Sequence, residues 1–303
     1  VALDNEPPYN VSYSSRHGIF RRISTTDLGI LRRGADPEEI ERIYRDRGQE
    51  IFQPKSSFRT IFGPVFGEKY STACYEEYLI KTFGDAEMSE LYAPTIAISF
   101  NTQKSEPYVF SSYSDDGFLV REAARASSAA PLYFAPAKFI CRKTGDEMCL
   151  VDGGIGANNP ALIAYSEARK LYPDADEFRI LSLSTCSPKF SYDATAQNGG
   201  VTGWASPILR LYSEAELSIT DIALESMPDV SYTRIWSGSL QHKIRLDDTS
   251  DEAIFQLTEC AENAYESNKD RISMFASWLA EERTHDSVRL FRDQKLLDSS
   301  SAE

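Results

Sequence analysis

The chain has three histidines (His17, His242 and His285) in 303 residues, each far from the others. The histidines are isolated and the acidic clusters lack metal-loop spacing, so neither metal nor cofactor is implied. The five cysteines (Cys74, Cys141, Cys149, Cys186 and Cys260) are odd in number and contain no Cys-x-x-Cys pair. That argues against a zinc ribbon or a redox pair and points to a reducing compartment. No apolar run reaches the roughly 18–20 residues that a membrane helix needs. The opening residues, Val1 to Asn10, lack the basic-then-apolar pattern of a secretory signal. Together these absences predict a cytoplasmic chain whose contact with membranes, where it occurs, is peripheral.

Positive charge is also in short supply. Lys and Arg number 32 against 46 Asp and Glu, a formal charge of −14, which disfavours nucleic acid and anionic lipid headgroups as partners. The imbalance spares residues 1–60, where ten basic residues meet nine acidic ones. Arg21, Arg22, Arg32 and Arg33 therefore form a basic patch on an acidic molecule, read here as a solvated helix face. What the chain does have is foldable material. With 42% hydrophobic and 12% aromatic residues it is neither disordered, nor collagenous, nor a small disulfide scaffold. A chain of this mass buries roughly 74% of its unfolded surface, which supports a full core.

Periodicity and punctuation predict the elements. Asp36-Pro37-Glu38-Glu39 supplies an N-cap, a first-turn proline and an acid at the third position, with Ile40, Ile43, Tyr44 and Ile51 on one face, predicting a helix over 37–51. A second helix is predicted over 71–83, and β-branched and aromatic runs predict strands at 95–100 and 108–110. Val120 to Ala130 is rich in Ala and Ser and stops at Pro131, the composition of a helix that lies close to neighbouring backbone. Residues 149–151 read as a buried strand, 160–171 as a helix and 178–183 as a strand, an order that predicts a parallel sheet. Ile208, Leu211, Tyr212, Ala215, Ile219, Ile222 and Ala223 keep one stripe of a later helix. Thr249 and Glu252 are spaced as a capping box before the last helical region. Residues 284–303 read as a polar tail.

Asp152-Gly153-Gly154 puts a carboxylate at the carboxyl end of a predicted strand, followed by two residues without side chains. It reads equally as a general base in a crevice at a sheet edge or as a turn before the Pro160 helix. Its surroundings decide. Ala123-Ala124-Arg125-Ala126-Ser127-Ser128-Ala129-Ala130-Pro131-Leu132-Tyr133-Phe134 and Val151-Asp152-Gly153-Gly154-Ile155-Gly156-Ala157-Asn158-Asn159-Pro160-Ala161, at this spacing, resemble the patatin-like phospholipase family of lipid acyl hydrolases. The Pro37-Glu38-Glu39-Ile40 helix and the Gly203-Trp204-Ala205-Ser206-Pro207 helix start follow in family order, so that the likeness covers about residues 20–280.

The resemblance implies an α/β fold with a mostly parallel central sheet flanked by helices. It also implies a serine–aspartate dyad: a serine in a Gly-x-Ser-x-Gly turn attacks an acyl ester, an aspartate of the Asp-Gly-Gly type acts as base, and a glycine-rich loop holds the oxyanion. By match the base is Asp152, with Gly153 and Gly154 beside it. None of the three histidines sits at a strand end, so a Ser-His-Asp triad is disfavoured. The departure lies upstream. No Gly-x-Ser-x-Gly and no run of three glycines occurs, and Ser24-Thr25-Thr26-Asp27-Leu28-Gly29 stands where the family has its nucleophile turn. Thr26 occupies the serine position, while Ser24 and Leu28 replace glycines whose lack of a side chain keeps that turn tight.

Segment 1–27 is therefore expected to be atypical or truncated, lacking the family's first strand and glycine-rich loop. A patatin-like domain at 28–283 follows it, then the tail. Expected partners are a lipid or membrane-surface substrate, with no nucleic acid. Phe58, Phe62, Phe66, Tyr133 and Phe134 are candidates to line an acyl channel, set against the plainer role of core packing. Two functions follow: a lipid acyl hydrolase based on Asp152, or a patatin-like scaffold without catalysis that binds lipid or protein.

Overall fold

A computed structural model describes residues 21–22, 48, 51–52, 69–91, 94–185, 207–236, 244–245 and 247–282. Thr95–Asn101 (β2) is the centre of a five-stranded sheet. Thr95, Ile96, Ala97, Ile98 and Ser99 are all buried, as a strand covered on both faces requires. Its alternation sorts the core. Ala97 joins a cluster with Leu79 and Phe83 of α1 (Thr72–Phe83), Val120, Ala123 and Ala124 of α2 (Val120–Ser127), and Leu150. Ile96 and Ile98 point the other way, to Ala157 and to Ala164 of α3 (Ala161–Leu171). Helices thus cover both faces of the sheet, and the small residues of α2 allow its close approach to β2.

The sheet's pairing differs from the expectation of a mostly parallel sheet. On one edge of β2 lies Glu106–Ser111 (β3), antiparallel; on the other lie Arg21–Arg22 (β1), parallel to Thr95–Ile96, and Glu147–Asp152 (β5), antiparallel to Ser99–Asn101. Ala137–Ile140 (β4) pairs antiparallel with β5. The reason is local. β2 runs into β3, and β4 into β5, through short connections, which make antiparallel neighbours. In the first, the Asn101 side chain accepts the N–H groups of Gln103 and Lys104, and Ser105 takes a left-handed φ of 55°; in the second, Gly145 takes φ 77°. Nor does β5–α3 lead back into the same sheet: Phe178–Leu183 (β6) pairs in parallel with Val230–Ile235 (β7) as a separate ribbon among the described residues.

Further expectations change. The pair Arg21–Arg22, read as part of a helix face, is a strand. The stripe on Pro207–Ser226 (α4) exists but faces outward, with Ile208, Leu211, Tyr212, Ile219 and Ile222 between 40% and 76% exposed. Asp251–Ser267 (α5) is capped by Ser250, not Thr249: its hydroxyl oxygen accepts the Ala253 N–H at 3.2 Å. Of the helix predicted over 37–51, Gly48 and Ile51 are helical and the remainder lies outside the described residues. Lys269–Glu282 (α6) ends the described chain. Cys74, Cys141, Cys149 and Cys260 form no disulfide.

Residues 69–70 and 247 tie distant segments together. Lys69 and Tyr70 donate to the Asp247 carboxylate, and Arg245 adds two further bonds. Burial pushes the Asp247 carboxyl up, but the hydrogen bonds from Lys69, Tyr70 and Arg245 outweigh it and hold the group well below the usual carboxylate range.

Candidate active site

Asp152 closes β5 and opens a 3₁₀ turn over Gly153–Ile155. Its own N–H donates to the Ala129 carbonyl just past the end of α2 at 3.0 Å, and its backbone lies opposite Ser99 of β2. The Ser99 hydroxyl donates to the Val151 carbonyl, fixing the residue before the aspartate from a fully buried position. The half-buried carboxylate in turn accepts the Gly154 N–H through Oδ1 at 2.7 Å. Backbone and side chain of Asp152 are both held from known directions, as a group that must present one geometry requires.

The glycine beside it is forced by space. A Cβ at Gly153 would stand 2.3 Å from the Ile98 carbonyl oxygen, a contact that backbone cannot relieve by rotating a side chain. Gly154 is less constrained: its nearest neighbour would be the Asp152 carboxylate oxygen at 3.1 Å. Asp152 therefore sits where two strands and a turn come into backbone contact, with Ile155 exposed beside it.

The segment after the turn enters a polar network that sequence reasoning did not foresee. Asn159 is buried; its backbone N–H donates to Glu216 of α4 at 3.0 Å, and its Nδ2 donates to Asp221 and to the Tyr232 hydroxyl, each at 2.9 Å. Ser182 of β6 donates to Asn159 Oδ1, and Arg234 of β7 donates to Ser182. Tyr232 also donates to Asp221, and the phenol is pushed up first by burial and then by that carboxylate. The only sign in the sequence was the Asn-Asn-Pro that follows Asp-Gly-Gly; the partners lie 23 to 73 residues away.

The other candidates separate. Phe134 packs among the rings of Phe52, Tyr70 and Tyr75 at centroid distances of 5.2–6.0 Å and belongs to the core, with Tyr133 partly buried against the same cluster. Phe58, Phe62, Phe66, Thr26, Ser24 and Leu28 lie outside the described residues, as do all three histidines. A groove of about 540 Å³ is lined by Leu162, Tyr165, Ser166, Arg169, Lys170 and Met227 and includes none of the Asp152 turn. Among the described residues no group of three or more His, Cys, Asp or Glu side chains is placed to hold a metal ion, and no helix is long and apolar enough to cross a membrane.

Residues 29–165, which take in β2 to β5 and the Asp152 turn, match the family described as patatin-like phospholipase. Patatin-like protein 2 of Arabidopsis thaliana is 25% identical over 83% of this chain and 76% of its own length. Patatin-2-Kuras 1 of Solanum tuberosum is 24% identical over 95% of this chain and 83% of its own. The chain is thus similar to the patatin-like family over residues 29–165. The family match takes in Asp152 and begins three residues after Thr26. Among solved structures, VipD from Legionella pneumophila aligns over 82% of this chain and 53% of its own at 10% identity and a TM-score of 0.29, a likeness too slight to carry an argument. The patatin-like family as a whole is one of lipid acyl hydrolases that act on lipid substrates.

Proposed function

We propose that this patatin-like chain carries the base half of a lipid acyl hydrolase. Asp152 takes the proton of a serine hydroxyl, the serine oxygen attacks the carbonyl of a fatty acyl ester, the alcohol leaves with a proton, and water then releases the acyl group. The observation that carries this reading is the Asp152 turn itself: a half-buried carboxylate at a strand end, one oxygen held by the Gly154 N–H, against a glycine that only close backbone contact demands. The serine is absent from the pentapeptide context in this sequence, with Thr26 in its place.

The chain as it stands is therefore expected to take no stoichiometric label from a fluorophosphonate probe. Labelling that Asp152→Asn abolishes would show that a nucleophile is present after all. Restoring the turn with Ser24→Gly, Thr26→Ser and Leu28→Gly together is expected to introduce slow labelling that Asp152→Asn removes again. Labelling of that variant that survives Asp152→Asn would overturn Asp152 as the base. The second reading, a scaffold that binds without catalysis, is favoured by the replaced glycines at Ser24 and Leu28; ester turnover by the unmodified chain would eliminate it.

A further inference from the structure

Helix α4 is built inside out. Glu216 and Asp221 turn toward Asn159, and Thr220 and Leu224 are buried with them. The opposite face carries the exposed residues Ile208, Leu211, Tyr212, Ile219 and Ile222. At 3.6 residues per turn these five fall within an arc of about 100°, along about 21 Å of helix. Surface helices ordinarily show the reverse arrangement, so this stripe faces something other than water.

Size, charge and position choose the occupant. Five side chains make a patch of a few hundred Å², short of the roughly 800 Å² that each partner brings to a stable protein interface. A second copy would also bring a second charge of −14. Apart from the inward Glu216 and Asp221, the helix carries Glu214 and Glu225 against a single Arg210, so it offers no basic face to anionic headgroups and leaves zwitterionic ones. The helix is anchored to the segment of the candidate site through its inward face, which is bonded to Asn159, seven residues after Asp152, and the stripe lies on the opposite face.

We propose that α4 is an interfacial helix that docks its Ile208-to-Ile222 stripe on a zwitterionic phospholipid surface, while its opposite face is fastened to the Asp152 segment through Asn159. The proposal rests on the lipid-hydrolase reading only in the choice of surface, and its test is independent of turnover. The full chain is sedimented with phosphatidylcholine vesicles and compared with Ile219→Glu/Ile222→Glu and with Phe255→Glu, which alters an exposed apolar residue of α5 outside the stripe. The wild type and Phe255→Glu are expected to sediment with vesicles and the α4 double variant to lose at least tenfold in partition, with unchanged circular dichroism. Raised salt should not weaken wild-type binding, and anionic vesicles should bind less.

Failure of the wild type to sediment, or equal sedimentation of the double variant, would overturn the proposal. So would a wild-type dimer in analytical ultracentrifugation that the double variant splits, which would assign the stripe to a second copy. Probe labelling of the restored-serine variant reports on the function separately. Vesicle binding without labelling leaves α4 an interfacial helix on a scaffold, whereas labelling without vesicle binding leaves the hydrolase reading intact and removes this one.

Discussion

Around β2, the residues that face inward are mostly apolar, Ile96, Ala97, Ile98, Leu150, Val120 and Ala123, with Thr95, Ser99 and Asn101 of the strand itself as buried polar exceptions. Between α4 and the β6–β7 ribbon the inward residues are Asn159, Ser182, Glu216, Thr220, Asp221, Tyr232 and Arg234. The first region is specified by volume: its parts fit because small residues and a glycine let backbones meet. The second is specified by direction: each donor must find its acceptor. A helix held by directional bonds on its polar face is left with its apolar face outside, and that explains how one chain has both a conventional core and the inverted α4.

If volume rules the first region, its most crowded backbone contact should be the least forgiving site in the molecule. Gly153→Ala forces a Cβ into the Ile98 carbonyl and is expected to cost about 3 kcal/mol, the upper end of overpacking penalties. Urea denaturation measures it; a loss under about 1 kcal/mol would mean that β2 and β5 part easily and that the two regions differ less than their side chains suggest. If direction rules the second region, Asn159→Ala should cost about 2 kcal/mol although the side chain is small, because Ser182 and Asp221 each lose a buried partner. The same denaturation series checks it, and a neutral result would break the comparison at its second term.

The Asp247 tie is polar like the second region but fastens Tyr70 of the first. Asp247→Asn is expected to cost about 1.5 kcal/mol at neutral pH, the lower range for hydrogen bonds to a charged group. The sign with pH follows from the depressed carboxyl. Its folded value lies below its unfolded one, so the stabilisation is fully present above the ordinary Asp value of about 3.9 and drains away as pH falls below that toward the folded value. Thermal melts from pH 7 to pH 3 should therefore show the gap between wild type and variant narrowing only below about pH 4.

What the sequence made legible was local. The helix predicted over 71–83 is found at Thr72–Phe83, and the strand predicted at 178–183 at Phe178–Leu183, since periodicity and turn residues act within a few positions. Asp152 was legible for the same reason: a carboxylate, two glycines and an Asn-Asn-Pro are consecutive. Strand pairing was not, because the β2–β3 connection turns on Ser105 rather than on a glycine that would have announced it. β4 and β7 were not anticipated at all. Nor could the Asn159 network be seen, since nothing in the residue types of Asp221 or Tyr232 says that they meet an amide some 60 or 70 residues earlier.

Helix α4 is where the two kinds of reading diverge most, and it supplies the smallest and most pointed effect. Its 208-to-223 periodicity, read by the usual rule, makes Ile222 a core residue whose truncation leaves a cavity. In the structure Ile222 is 66% exposed, while Leu224 two positions on is fully buried. Ile222→Ala should then change stability in solution by less than about 0.5 kcal/mol, and in the stabilising direction, because alanine is the better helix former and little buried surface is lost. Leu224→Ala is the internal control and should destabilise. A clear loss for Ile222→Ala would mean that the stripe is packed against protein in the isolated chain, and the directional account of α4 would have to yield to an ordinary hydrophobic one.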